Sequence, residues 1–164
     1  MIGEILVAGD HVIKGYLNGD GDAETKILLD GEIWHRTGDA GYFDEAGRLW
    51  LVGRWSAVIS DTHGTLFPFQ VESAARHLPG VAQAACIQHD GKRILLVEPD
   101  RPLALLFSRR RHKFRAMTER LNWANIDAVV PVSKIPLDPR HNSKLNYPAI
   151  RKLLARRSTM LAAR

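Results

Sequence analysis

Up to about residue 53, apolar positions fall in short alternating runs. These predict strands at Glu4 to Ala8, Gly31 to His35, Gly41 to Phe43 and Leu49 to Val52. The last two are joined by Asp44-Glu45-Ala46-Gly47, a polar glycine-containing connection suited to a hairpin. Asp20-Gly21-Asp22 reads as a surface turn. Composition shifts at Gly53-Arg54-Trp55-Ser56, and strands are predicted next at Ala57 to Ile59 and Thr65 to Phe67. Pro68 opens a helix running to about His77, which Leu78-Pro79-Gly80 stops. Val81 to Gln88 and Arg93 to Glu98 read as strands around Asp90-Gly91, a hairpin signal. A long helical pattern covers Leu103 to Asn122, Ala128 to Val132 is a short strand, and Tyr147 to Arg157 closes the chain as an amphipathic helix. This order of elements predicts an α+β fold: a β-rich segment over 1–53, then a small mixed α/β domain over 54–164.

Composition narrows the class. The chain has 164 residues, 45% hydrophobic and 25% charged, which is the balance of a globular protein. Its one cysteine, Cys86, lies in an apolar run and rules out an internal disulfide, so a reducing, cytoplasmic setting is expected. No apolar stretch approaches the ~18 residues that span a bilayer, and the start carries no secretory pattern. The formal charge of +5 concentrates in two clusters, Arg109 to Arg115 and Arg151 to Arg164. Both sit in amphipathic patterns and are expected to be solvated helix faces; a nucleic-acid partner is not expected. The seven histidines show no paired ligand spacing, and one cysteine cannot build a zinc site, so no metal site is expected in the chain itself.

Three side chains stand out for chemistry. Asp39 follows Thr37-Gly38 at the end of a predicted strand, where a glycine lets the backbone turn and hold a short carboxylate at a fixed angle. Such a carboxylate accepts two hydroxyl hydrogen bonds at once and suits a vicinal diol. Taken alone, Thr-Gly-Asp also reads as a turn aspartate satisfying nearby amides. Arg54 offers five donors on a rigid, permanently charged fork suited to ribose and phosphate oxygens, or to a domain-boundary surface. Lys144 offers a compact mobile charge that pairs with both a carboxylate and a phosphate, or with solvent.

The run Trp34-His35-Arg36-Thr37-Gly38-Asp39-Ala40-Gly41-Tyr42-Phe43-Asp44, with Gly47-Arg48-Leu49-Trp50-Leu51-Val52-Gly53-Arg54, closely resembles the nucleotide-gripping segment of adenylate-forming enzymes. That family includes acyl-CoA synthetases, peptide synthetase adenylation domains and luciferases. Gly3-Glu4-Ile5-Leu6-Val7 with Gly15-Tyr16, and Asn142-Ser143-Lys144, match the same family in order, so the resemblance covers nearly the whole chain. Nothing resembles the family's Ser/Thr/Gly-rich phosphate loop, so the chain is expected to be a C-terminal portion, with Met1 inside the last subdomain of the large domain.

The resemblance implies a β-rich remnant followed by a mobile lid domain. Asp39 and Arg54 would be nucleotide-binding residues, Lys144 the catalytic lysine, and Ser56 the hinge, in place of the usual aspartate or lysine. The implied reaction activates a carboxylic acid, a fatty or related acyl acid, with ATP to give acyl-AMP. Magnesium would be carried on the ATP phosphates, and CoA is one acceptor. Arg140-His141-Asn142-Ser143-Lys144 resembles the branch that makes β-lactones in olefin biosynthesis. Ile59-Ser60-Asp61-Thr62-His63-Gly64 departs from the loop that lines the pantetheine tunnel, which makes adenylation the firmer expectation and thioester formation the weaker. Glu72 is expected to be structural. Alone, without its large domain, such a chain is expected to be inactive. A separate N-terminal adenylation subunit and a homodimer are the expected partners. The competing class is a non-catalytic module that keeps the lid fold and docks on protein or nucleic acid through its basic helices.

Overall fold

A computed structural model describes residues 1–100, 119–139 and 141–162, the side chains of 141–143 and 157–162 excepted. The basic cluster at Arg109 to Arg115 and most of the helix expected over Leu103 to Asn122 lie outside the described residues. The chain divides into two compact units, Met1–Ser56 and Ala57–Arg164. The architecture is mixed and strand-rich with few helices, an α+β fold.

The first unit is an antiparallel sheet built on one long strand. β1 (Gly3–Val7), β2 (Lys26–Leu29) and β4 (Leu49–Arg54) all pair with the 12-residue β3 (Glu32–Phe43), and a four-residue helix α1 (Asp22–Thr25) precedes β2. β2 and β4 share one edge of β3, taking its first and second halves, while β1 runs along the other edge. The two strands expected at Gly31 to His35 and Gly41 to Phe43 are therefore one strand. Partners on both edges carry β3 through Thr37-Gly38-Asp39, and Gly38 absorbs the irregularity at φ +71°. β2 was not expected; Asp30-Gly31, with φ of 50° and 81°, turns it into β3 as a tight two-residue hairpin.

The second unit is a layered α/β arrangement. The hairpin β5 (Ile59–Asp61) and β6 (Gly64–Leu66) leads into α1's longer successor, α2 (Pro68–Arg76), and then the hairpin β7 (Val81–His89) and β8 (Lys92–Pro99). Asp90 and Gly91 turn it with φ of 48° and 73°. β9 (Ala128–Pro131) joins β8 in parallel, giving the order β7-β8-β9. Side chains alternate across this sheet. Ala84, Cys86, Leu95 and Val97 pack with Val71 and Ala75 of α2, while Ala85, Ile87, Ile94 and Leu96 pack with Ile150 and Leu154 of α3 (Tyr147–Ala162). Burial on both faces explains why β7 and β8 read as nearly continuous apolar runs. Ahead of α3, β10 (Leu137–Asp138) and β11 (His141–Leu145) form a small hairpin. The strand expected at Ala57 to Ile59 begins two residues later, because Trp55–Ala57 is a 3-10 turn. No helix among the described residues is long and apolar enough to cross a membrane.

Candidate functional site

Asp39 and Arg54 stand directly opposite each other on β3 and β4. Their side chains meet at 2.9 Å between Arg54 Nη1 and Asp39 Oδ1, and both are partly exposed. Asp39 thus lies within a strand rather than at its end. The backbone around it is irregular: Ala40 pairs with Glu4 and Arg36 with Leu6, so Thr37, Gly38 and Asp39 face Ile5 alone. The ladder cannot satisfy three residues with one, and side chains take over. Thr37 Oγ1 donates to the Ile5 carbonyl at 2.8 Å and accepts from the Asp39 N–H at 3.1 Å. Arg54 Nη1 donates to the Thr37 carbonyl at 3.1 Å. On the flank, Arg36 donates to Glu4 Oε2 from Nε at 3.0 Å and from Nη2 at 2.7 Å. A carboxylate offers about four acceptor positions, so the contact at Oδ1 leaves Asp39 able to take a pair of hydroxyls.

The turn after β3 is held by Asp44. Its Oδ1 accepts from the Ala46 and Arg48 N–H groups at 3.0 and 2.9 Å, and its Oδ2 from Arg48 Nε and Trp50 Nε1 at 2.8 Å each. The Trp50 hydrogen bond leads these in holding the Asp44 carboxyl below the usual carboxylate range. Ser56 is exposed, within the 3-10 turn Trp55–Ala57, and is the last residue of the first unit.

Lys144 belongs to the second unit. The residue sits on β11 with its side chain exposed. Its backbone is anchored on both sides. Glu98 Oε2 of β8 accepts from the Ile135 N–H at 2.8 Å, and the Asn146 N–H donates to the Pro136 carbonyl at 3.0 Å. Asn146 Oδ1 then accepts from the Ala149 N–H at 3.0 Å, capping α3. Asn146 followed by Pro148 was a legible start signal for that helix. Leu145 and Tyr147 pack against the apolar cluster under α3. Lys144 thus lies between anchored stretches of backbone, with its side chain exposed.

Two buried polar centres brace the second unit. Glu72 is buried, as expected of a structural residue. Its Oε1 accepts from the Cys86 N–H at 2.9 Å, and both its oxygens lie near the Tyr147 hydroxyl, at 3.0 and 3.1 Å. Burial pushes its pKa up to about 7, against the lowering pull of those hydrogen bonds and of Arg76. The same burial pushes Cys86 up to about 12, with the Glu72 charge adding to it, so this thiol is inert. Tyr147 is also raised, by burial first and then by Glu72.

Arg93 was missed by the sequence reading. It is buried, and its guanidinium donates to Asp61 Oδ1 and Oδ2 at 2.7 Å each, to the Gly64 carbonyl at 2.8 Å and to the Ala124 carbonyl at 2.8 Å. Hydrogen bonding from Arg93 holds Asp61 below the usual carboxylate range. Nothing in local pattern marks an arginine in a strand as buried, since its partners lie about thirty residues away on either side. Among the described residues no three His, Cys, Asp or Glu side chains converge on a metal-sized site.

No family model matches the chain. It is 33% identical over 159 residues to the olefin β-lactone synthetase of Stenotrophomonas maltophilia, covering 88% of this chain and 28% of that protein. It is 38% identical over 85 residues to the indoleacetate–CoA ligase of Aromatoleum aromaticum, covering 52% of this chain and 16% of that protein. Among solved structures, the amide bond synthetase of Marinactinospora thermotolerans superposes with a TM-score of 0.70 at 24% identity over 94% of this chain and 31% of its own. The O-succinylbenzoate–coenzyme A synthetase of Bacillus subtilis, solved in complex with AMP, gives 0.67 at 23% identity over 84% of this chain and 28% of its own. The chain thus spans less than a third of the length of each of these proteins.

Proposed function

We infer, from a chain homologous to the C-terminal portion of adenylate-forming, AMP-binding ligases, that it supplies the ribose grip and the lid of an enzyme that activates a carboxylic acid with ATP. The observation that carries this reading is the Asp39–Arg54 pair, directly opposed on β3 and β4, with a carboxylate that retains acceptor capacity. Asp39 accepts the two ribose hydroxyls, and Arg54 holds that carboxylate while presenting the rest of its fork to the nucleotide. In the reaction a substrate carboxylate oxygen bonds to the α-phosphorus of ATP, the bond from that phosphorus to the β-phosphate bridging oxygen breaks, and pyrophosphate leaves with the electron pair. Lys144 steadies the charge that moves across the α-phosphate. Ser56, exposed at the end of the first unit, is the hinge at which the lid turns.

The described residues do not build a magnesium cage, so no step of the metal is assigned to this chain. The substrate is a fatty or related acyl acid, and CoA is one acceptor of the acyl group. The setting is cytoplasmic. Adenine, triphosphate and acyl group need walls that this chain does not supply, so it is inactive alone and works with a large N-terminal adenylation region, on a separate subunit or in the same polypeptide. Apolar side chains exposed along β2 and β4, among them Leu28, Leu49, Trp50 and Leu51, support such a partner, or a second copy of the chain.

The test is ATP–pyrophosphate exchange, with the chain alone and mixed with large N-terminal regions of adenylate-forming ligases. Exchange is expected only in a mixture, falling about a hundredfold or more with Lys144→Ala. Exchange in a mixture that Lys144→Ala and Asp39→Ala leave untouched overturns the roles given to both residues. Silence in every mixture favours the non-catalytic module, whose exposed Arg151, Lys152 and Arg156 would then give salt-sensitive binding to an acidic partner.

A further inference from the structure

We propose that Thr37 is the positioning residue that sets the Asp39 carboxylate for a ribose diol, and that its hydroxyl, rather than the strand ladder, makes the grip selective for that diol. The inference rests on the reading of Asp39 as the ribose acceptor and deepens it.

The argument starts from a mismatch. Between the pairs Ala40–Glu4 and Arg36–Leu6, β3 has three residues and β1 has one. In a regular ladder each residue's N–H and C=O is fixed by its neighbour; here two residues are surplus, and Gly38 at φ +71° bends the chain between them. Asp39 pairs with Arg54 on the β4 edge, so the slack left by the bulge lies on the β1 edge, and movement there carries the short carboxylate with it. Two side chains remove that freedom. The Thr37 hydroxyl spends its one proton on the Ile5 carbonyl and uses a lone pair for the Asp39 N–H, so one oxygen ties the bulge to β1 and to the functional residue. Arg54 closes the other side, with Nη1 shared between the Thr37 carbonyl and Asp39 Oδ1. On the β1 edge the backbone of Asp39 is thus fixed through Thr37, and its carboxylate through Arg54.

Threonine suits this place for a physical reason. Its β-branch restricts χ1 in extended backbone, so the hydroxyl is held ready between the two partners. Valine has the same shape and the same stiffness but neither donates nor accepts. It would leave the Ile5 carbonyl and the Asp39 N–H unpaired in a partly buried place. Serine restores both hydrogen bonds with a looser rotamer.

The experiment is a titration of the full 15N-labelled chain, mixed with a large N-terminal adenylation region that supports exchange, with AMP and, separately, with 2′,3′-dideoxyadenosine 5′-monophosphate, which keeps adenine and phosphate but has no diol. The readout is the ratio of the two dissociation constants from the amide shifts. The wild type is expected to prefer AMP about tenfold or more, the weight of hydrogen bonds to a charged acceptor. Thr37→Val is expected to bring the ratio within about twofold of unity while binding the dideoxy nucleotide as the wild type does. Thr37→Ser keeps most of the preference.

A merely structural role for Thr37 would weaken both nucleotides together and leave the ratio unchanged, which overturns the proposal. Loss of the preference in Thr37→Ser also overturns it, and this variant decides the matter if Thr37→Val does not fold. Asp39→Asn separates the two levels. If Asp39→Asn abolishes the preference and Thr37→Val retains it, only the positioning role fails. If the wild type shows no preference, or Asp39→Asn keeps it, the ribose reading beneath the proposal fails.

Discussion

The two units of this chain are stabilised in opposite ways. In Met1–Ser56 the buried hydrophobic residues are Ala40 and Val52, while Ile13, Leu17, Leu28, Phe43, Leu49, Trp50 and Leu51 are exposed. What holds it is polar: a long ladder on β3, the Asp44 clasp, the Arg36–Glu4 pair and the Thr37 bridge. In Ala57–Arg164 two apolar clusters fill both faces of the β7-β8-β9 sheet, and the buried polar groups Glu72 and Arg93 are hydrogen-bonded. The second unit follows the usual rule of apolar inside. The first is an open sheet whose strands leave apolar side chains exposed.

The sharpest way to break this comparison is to remove one arginine from each unit. Arg93→Ala leaves the half-buried Asp61 without its partner and two carbonyls unpaired, and should lower stability in urea unfolding by clearly more than the loss of an exposed ion pair does. Arg36→Ala breaks a pair in which two arginine nitrogens donate to one oxygen, Glu4 Oε2, and Arg36 is 40% exposed, so the loss should stay at ~0.5–1 kcal/mol. Equal losses would mean that the first unit has the hidden interior its exposed residues deny.

A second, smaller effect comes from pH. Glu72 has a folded pKa of about 7 against an ordinary 4.5, so the folded state holds its proton more tightly than the unfolded state. Its contribution is fully present below the unfolded value and is lost as pH rises through about 7, an effect on the order of 3 kcal/mol. Glu72→Gln keeps an acceptor for the Cys86 N–H and carries no charge. Its stability should be flatter than the wild type's between pH 5 and 8, as followed by thermal melts; an unchanged slope would remove Glu72 as the cause.

The smallest expected change in stability is in the first unit's apolar edge. Leu49→Ser with Leu51→Ser should alter stability by less than ~0.5 kcal/mol per site, because both residues are already half in water. The same double change should weaken association with a large-domain partner, or self-association, in sedimentation. A large loss of stability would show that these side chains are buried in the chain as it folds.

Much of this contrast was legible in the sequence. Asp90-Gly91 between two apolar runs, Pro68 at a helix start and the Asp44 to Gly47 connection all became the elements they suggested, because each depends on neighbours within a few residues. Asp30-Gly31 carried an equal hairpin signal that went unused, and β2 was missed with it. What could not be read locally was long-range. The merging of two strands into β3 depends on partners along both edges. Arg93 depends on Asp61 and Ala124 far along the chain. Asp39 and Arg54 were picked out through the resemblance of the motifs around them, but their opposition across β3 and β4 is a matter of register, and the role of Thr37 follows from a bulge that pairing alone reveals.

Arg93 also has a consequence in time. Its guanidinium links the turn of the β5–β6 hairpin to the 3-10 turn ahead of β9, while its own N–H donates to Asp127 Oδ2 at 2.7 Å. A hairpin of three-residue strands would ordinarily open on its own and exchange its amide protons within seconds to minutes. Here opening it means pulling a charged group out of the core, so the ladder amides of Ile59–Asp61 should exchange together with those of β8, as one cooperative block.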